Sequence, residues 1–125
     1  QRVAIARAVA YQPQILLMDE PFASVDAQTR ADLQDMALDV WRTHRSTVLF
    51  VTHDIDESVY LADRVLVLSQ SPATVAAEIA IDLPRPRDQI DTKASPAFVA
   101  QRASVARLIR RPQPTAGPGP ETFVR

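Results

Sequence analysis

A chain of 125 residues, 46% hydrophobic and 23% charged with a net charge of −1, has the composition of one ordinary globular domain. The near-neutral balance excludes a global field that would draw the chain onto nucleic acid or anionic lipid. The lack of cysteine excludes disulfides, thiolate metal sites and a cysteine nucleophile. No apolar run approaches the roughly 18 residues that span a bilayer, so any link to a membrane is expected to pass through another protein.

The chain opens at Gln1 inside a helical pattern, QRVAIARAVA, with no capping residue ahead of it. Its only two glycines are Gly117 and Gly119, so a Gly-rich phosphate cradle cannot exist in it. Both features read as a piece of a longer chain; the alternative is a small complete domain that avoids glycine. After the opening helix, Pro13 forces an extended approach. Ile15 to Met18 then form a continuous apolar run ending in Asp19-Glu20-Pro21, which fits a strand buried on both faces, as in a parallel sheet. The next helix carries Leu33, Met36, Ala37, Val40 and Trp41 on one apolar stripe, with Asp26 as its N-cap. Arg45-Ser46 turns the chain into a β-branched and aromatic strand from Thr47 to Thr52. Strand, helix and strand of these lengths make a βαβ unit with parallel strands.

Asp54 and Glu57 have capping-box spacing for a short helix through Ala62. Arg64 to Ser69 reads as a further strand. Glu78 to Leu83 reads as an edge strand, stopped by Pro84-Arg85-Pro86-Arg87. Ser95-Pro96 has the form of an N-cap followed by proline at the first helical position. The helix from there to about Arg110 turns Phe98, Val105, Leu108 and Ile109 inward and several arginines outward. From Pro112 the composition is that of a disordered tail.

Ligands of α/β sheets bind beyond the carboxyl ends of the parallel strands. Asp19-Glu20 ends one such strand and Thr52-His53-Asp54 the next, so both deliver polar groups to one rim. An acidic pair beside a histidine suits phosphate chemistry with magnesium. One carboxylate orders the water shell of the ion. The second polarises the attacking water, and the imidazole contacts the terminal phosphate. Taken singly, Asp19-Glu20-Pro21 also reads as a solvated turn and His53 as a helix-capping residue. Asp54 or a backbone carbonyl is expected to set the tautomer of His53.

QRVAIARA, ILLMDEP, the loop FASVD and VTHD, in this order and with His53 falling 33 positions after Glu20, closely resemble the latter half of an ABC transporter ATPase. The resemblance covers Gln1 to Ser69. It implies a partial P-loop NTPase domain, with a parallel sheet and flanking helices, whose Walker A loop, adenine-stacking aromatic, glutamine loop and signature motif lie upstream of Gln1. It makes Asp19 the Walker B aspartate that holds Mg2+ and binds ATP, Glu20 the catalytic carboxylate and His53 the switch histidine. Asp26 becomes the end of the D-loop, facing a second ATPase subunit, and counts with Asp19 among the ATP-binding residues. The family loop usually reads SALD; here it is Ala23-Ser24-Val25-Asp26, which lacks the first serine and its hydroxyl contact across the dimer.

IDLPRPRD, from Ile81 to Asp88, followed by a helix and little else, resembles the nitrate/sulfonate/taurine importer ATPases. The boundaries implied are an ATPase part at 1–83, a helical extension at 84–111 and a tail at 112–125. The implied function is ATP hydrolysis in a homodimer at the cytoplasmic face of the inner (plasma) membrane. There the subunits would act with a transmembrane permease and indirectly with a periplasmic or lipid-anchored solute-binding protein, with no role for nucleic acid. The chain alone is expected not to hydrolyse ATP. A non-transport ABC ATPase working on nucleic acid or ribosomes is the alternative, although long coiled coils or basic arms are missing; an inert remnant is a third. Pro84-Arg85-Pro86-Arg87 reads equally as an exposed connector, the arginines of the last helix as a solvated face, and Trp41 and Phe50 as core.

Overall fold

The computed structural model describes residues 2–111, so the expected tail and both glycines lie outside the described residues. Helix α1, Arg2–Ala10, leads into strand β1, Ile15–Asp19; helix α2, Ala27–His44, crosses to strand β2, Thr47–Val51. The two strands pair in parallel, with Ile15 opposite Thr47 and Asp19 opposite Val51, as expected of a βαβ unit. The Asp26 carboxylate caps α2 by accepting from the Thr29 amide at 3.0 Å. Where glycine would ordinarily serve, Gln12, Glu20 and Arg45 take positive φ values of 47°, 46° and 55°. Arg45 in this conformation ends α2, its amide donating to the Trp41 carbonyl.

One face of this sheet is packed. Met18 and Phe50 lie against the cluster of Ile5, Phe22 and Leu33, and the rings of Phe22 and Phe50 stand 5.6 Å apart. The other face is open, with Ile15 70% and Leu17 64% exposed and Leu49 and Val51 also outward. Burial on both faces, expected from the continuous apolar run, is therefore met on one face only by the described residues. Strand residues alternate between faces, and α1 and α2 supply side chains to just one of them.

Helix α3, Ile55–Leu61, starts at the Asp54 cap, which accepts from the Glu57 amide at 3.1 Å. The capping box is only half formed. Thr52 Oγ1 accepts the Asp54 amide, while the buried Glu57 side chain accepts from Gln34 Nε2 at 3.0 Å. Burial favours this exchange, since it satisfies Gln34 and Glu57 together.

Strand β3, Arg64–Leu68, pairs antiparallel with strand β4, Val75–Ala80, forming a second two-stranded sheet with a register shift at Val67/Leu68. β4 thus begins three residues before the expected Glu78. The Ile81 amide still donates to the Asp63 carbonyl at 2.9 Å, one step past the last strand pair, while the Ile81 and Leu83 side chains enter the second core, beside Val59, Tyr60, Phe98 and Val105.

A short helix, α4 (Asp91–Ala94), precedes helix α5, Pro96–Arg110, which Ser95 caps through the Phe98 amide. Phe98 and Val105 are buried as expected, but Ile109 is 48% exposed. α3, the principal partner of α5, has 7 residues to its 15 and cannot cover both of its ends.

The proline-arginine connector is not a solvated strap. Arg87 is 9% exposed; its Nη1 donates to the carbonyls of Ala62 at 2.7 Å and Tyr60 at 2.9 Å, closing the end of α3. Burial, with Arg85 nearby, pushes its pKa down to about 10. Arg85 pairs with Asp63 at 2.8 Å and lies 4.6 Å above the centre of the Trp41 ring. Trp41 is half-buried beneath it.

Candidate active site

The site forms where β1 and β2 end together. The Glu20 amide donates to the Val51 carbonyl at 2.8 Å, carrying the ladder one residue past β1. At Glu20 the backbone enters the left-handed region, a conformation that costs a non-glycine residue on the order of 1 kcal/mol. The paired neighbour and the turn that follows hold it there. Both carboxylate oxygens of Glu20 lie 2.8–2.9 Å from His53 Nδ1, across 33 residues of sequence.

An ionised carboxylate only accepts, so Nδ1 carries the proton and donates it to Glu20. The tautomer is therefore set by Glu20, not by Asp54 or a backbone carbonyl as expected. That hydrogen bond, and next the Glu20 charge, raise the His53 pKa above its ordinary value; Asp54 and Glu57 add to the effect. The histidine does not cap α3, since Asp54 does. With its side chain 80% exposed, the ring stands at the protein surface.

The four expected site residues are placed differently. Asp19, the last residue of β1, is exposed at the rim and adjoins Glu20. Glu20 and His53 touch. Asp26 directs one oxygen to the Thr29 amide and the other to the Thr29 hydroxyl, at 2.8 Å. These bonds, the amide first, hold its pKa below the usual carboxylate range.

Arg30, which the sequence reading passed over, lies one turn into α2. It donates Nη2 to the Val25 carbonyl at 3.2 Å and places Nη1 3.6 Å from Asp54 Oδ2. Its only signal in the sequence is an arginine four residues after a capping aspartate.

A parallel βαβ unit with Asp-Glu and His at its carboxyl rim is the arrangement of an α/β domain that binds its ligand at the strand ends. Comparison with known proteins narrows the class: the chain is a homologue of ABC transporter ATP-binding proteins. It is 51% identical, over 91% of its own length and 44% of the relative, to a Brucella abortus protein provisionally named an ATP-binding protein. It is 48% identical to an uncharacterized ABC transporter ATP-binding protein of Methanocaldococcus jannaschii, over 88% of this chain and 40% of that one. It is 50% identical to the aliphatic sulfonates import ATP-binding protein SsuB of Bacillus licheniformis, over 86% of this chain and 40% of the relative. The chain thus spans less than half the length of these relatives. No protein-family model matches it. Among the described residues no helix is long and apolar enough to cross a membrane.

Proposed function

We propose that the chain carries the water-activating part of the ATP-hydrolysing subunit of an ABC importer of the nitrate/sulfonate/taurine-like class. The Glu20–His53 contact at the ends of paired parallel strands carries this reading. A carboxylate that can accept a proton and an imidazole within 2.8 Å of it support this reading, since hydrolysis of a phosphoanhydride can use both groups. The names of the relatives support the transport context.

In this reading Glu20 accepts the proton of the attacking water. A carboxylate has about four lone-pair sites, so the bond from His53 leaves others for that water. His53 serves the terminal phosphate through Nε2. While Nδ1–H is held by Glu20, a neutral ring offers only a lone pair at Nε2, and the imidazolium donates from both nitrogens. The raised pKa of His53 favours that charged form.

Asp19 fits Mg2+ as the exposed carboxylate beside the base. Mg2+ is commonly held through one or two carboxylates together with waters and phosphates, and Asp19 would supply one. Mg2+ would supply charge neutralisation on the transferred phosphate. Asp26, whose carboxylate is held by Thr29, ends the loop that faces a second ATPase subunit and is the second ATP-binding residue of this reading. The assembly sits peripherally at the cytoplasmic face of the inner (plasma) membrane, with a permease and, indirectly, a periplasmic or lipid-anchored solute-binding protein.

The deciding experiment is Glu20→Gln in the whole protein. Turnover is expected to fall at least about a hundredfold, the scale of losing general-base help, with ATP binding intact and an ATP-bound dimer accumulating. His53→Ala should lower turnover about ten- to a thousandfold. Parallel loss of binding and turnover in Glu20→Gln would make Glu20 a structural residue and overturn the reading.

A further inference from the structure

We propose that Arg30 is a positioning residue, which ties the loop after β1 to the cap beside His53. The inference rests on the ATPase reading above and deepens it.

Arg30 belongs to the first turn of α2, and its own amide donates to the Asp26 carbonyl at 2.9 Å. Its guanidinium then reaches in two directions. Nη2 donates to the carbonyl of Val25, the residue before Asp26, at 3.2 Å. Nη1 pairs at 3.6 Å with Oδ2 of Asp54, the residue after His53. The other carboxylate oxygen of Asp54 is engaged as the cap of α3, so the pair acts on a group that already fixes where that helix begins. One side chain therefore connects three things: the start of α2, the loop at Val25–Asp26 and the start of α3.

The chemistry suits arginine in particular. A planar guanidinium presents several donors in fixed directions and serves a carbonyl and a carboxylate together, whereas an ammonium on a flexible stem does so poorly. The side chain is half-buried and its Nε is shielded from solvent, where charge interactions are screened less than at the open surface.

A shift of the 21–26 loop, the segment read as facing a second subunit, would be felt at Asp54. His53 is joined to Asp54 by one peptide bond and to Glu20 by a hydrogen bond. Arg30 would thereby set the orientation of the imidazole without touching the nucleotide, through a physical chain of named contacts.

Two variants separate this from a merely structural role. Arg30→Ala removes both arms. Asp54→Asn keeps a capping oxygen, since asparagine caps about as well as aspartate, and removes only the charge.

In the whole protein, Arg30→Ala is expected to lower kcat about tenfold with KM for ATP within about twofold, and Asp54→Asn to lower kcat comparably. The double variant should be little worse than either single one, as for two residues acting through one contact. Arg30→Lys should recover part of the loss. Hydrogen exchange, followed without nucleotide, should speed up at the amides of residues 53–58 in Arg30→Ala.

Independent, multiplicative losses in the double variant, a normal kcat in Arg30→Ala, or unchanged exchange at 53–58 would each overturn the proposal. Glu20→Gln, run alongside, distinguishes the two readings. If it is inactive while Arg30→Ala turns over normally, only the role of Arg30 falls. If Glu20→Gln hydrolyses ATP normally, the ATPase reading falls, and the exchange measurement alone decides whether Arg30 holds the cap.

Discussion

Replacing Arg87 by alanine tests how firmly α3, the helix that follows His53, is held from its far end. The guanidinium makes two short bonds, to the carbonyls of Ala62 and Tyr60, and longer ones to Val59 at 3.5 Å and Leu83 at 3.4 Å. A hydrogen bond from a charged donor contributes roughly 1.5–3 kcal/mol, so the two short ones supply about 3–6 kcal/mol between them. Holding a cation in the interior offsets part of this, as the lowered pKa of about 10 reflects. Truncation, however, also strands the carbonyls at the end of α3, each at a cost of about 1–3 kcal/mol where water cannot replace the donor. The net expectation is a loss of about 3 kcal/mol. Arg87→Lys should lose less, since an ammonium can still reach one or two of the carbonyls. Urea unfolding of the whole protein measures it: the midpoint should fall while the slope with denaturant stays unchanged. An Arg87→Ala protein within about 0.5 kcal/mol of the parent, the ordinary range for an exposed position, would return this arginine to a solvated connector.

The His53 pair predicts a pH dependence. Its pKa is raised in the folded protein, so the stabilisation from the Glu20 contact is fully present below about pH 6.5. It is lost as the pH rises through the higher folded value. An imidazole titration followed by NMR should give a midpoint above 6.5 that drops back in Glu20→Gln; a midpoint at or below 6.5 in the parent would refute the pairing. At α5, Ser95→Ala removes the oxygen that accepts the Phe98 amide at 3.2 Å, and should cost about 1 kcal/mol in the same urea assay, whereas Ser95→Asn should cost little. A neutral Ser95→Ala would mean that the buried Phe98 side chain alone holds this end of the helix.

Much of the site was legible because strand ends are marked twice, by where an apolar run stops and by what polar residue follows it. Met18-Asp19-Glu20 and Val51-Thr52-His53 both carry that mark, and parallel pairing brings them together. The caps at Asp26, Asp54 and Ser95 were legible for a similar reason: each is a local device whose acceptor and donor lie three residues apart. The role of Arg87 was not, because its acceptors at the end of α3 lie 25–28 residues away and a proline-flanked arginine looks the same whether or not a helix end sits beneath it. The end of β4 was misplaced, at Leu83 and not Ala80, because apolarity records burial and not pairing. Ile81 and Leu83 are as apolar as strand residues, yet they serve the core beyond the ladder.

The same distinction explains the open face of the first sheet. Ile15, Leu17, Leu49 and Val51 satisfy the pattern of a strand buried on both sides, while the described helices cover only the side of Met18 and Phe50. Burying a leucine or isoleucine side chain is worth roughly 1.5–3 kcal/mol, and none of these four is buried. The apolar pattern of β1 and β2 therefore specifies more burial than residues 2–111 supply among themselves. It follows that the Glu20–His53 geometry stands on a sheet whose packing is secured from one side, by Phe22, Leu33 and Ile5.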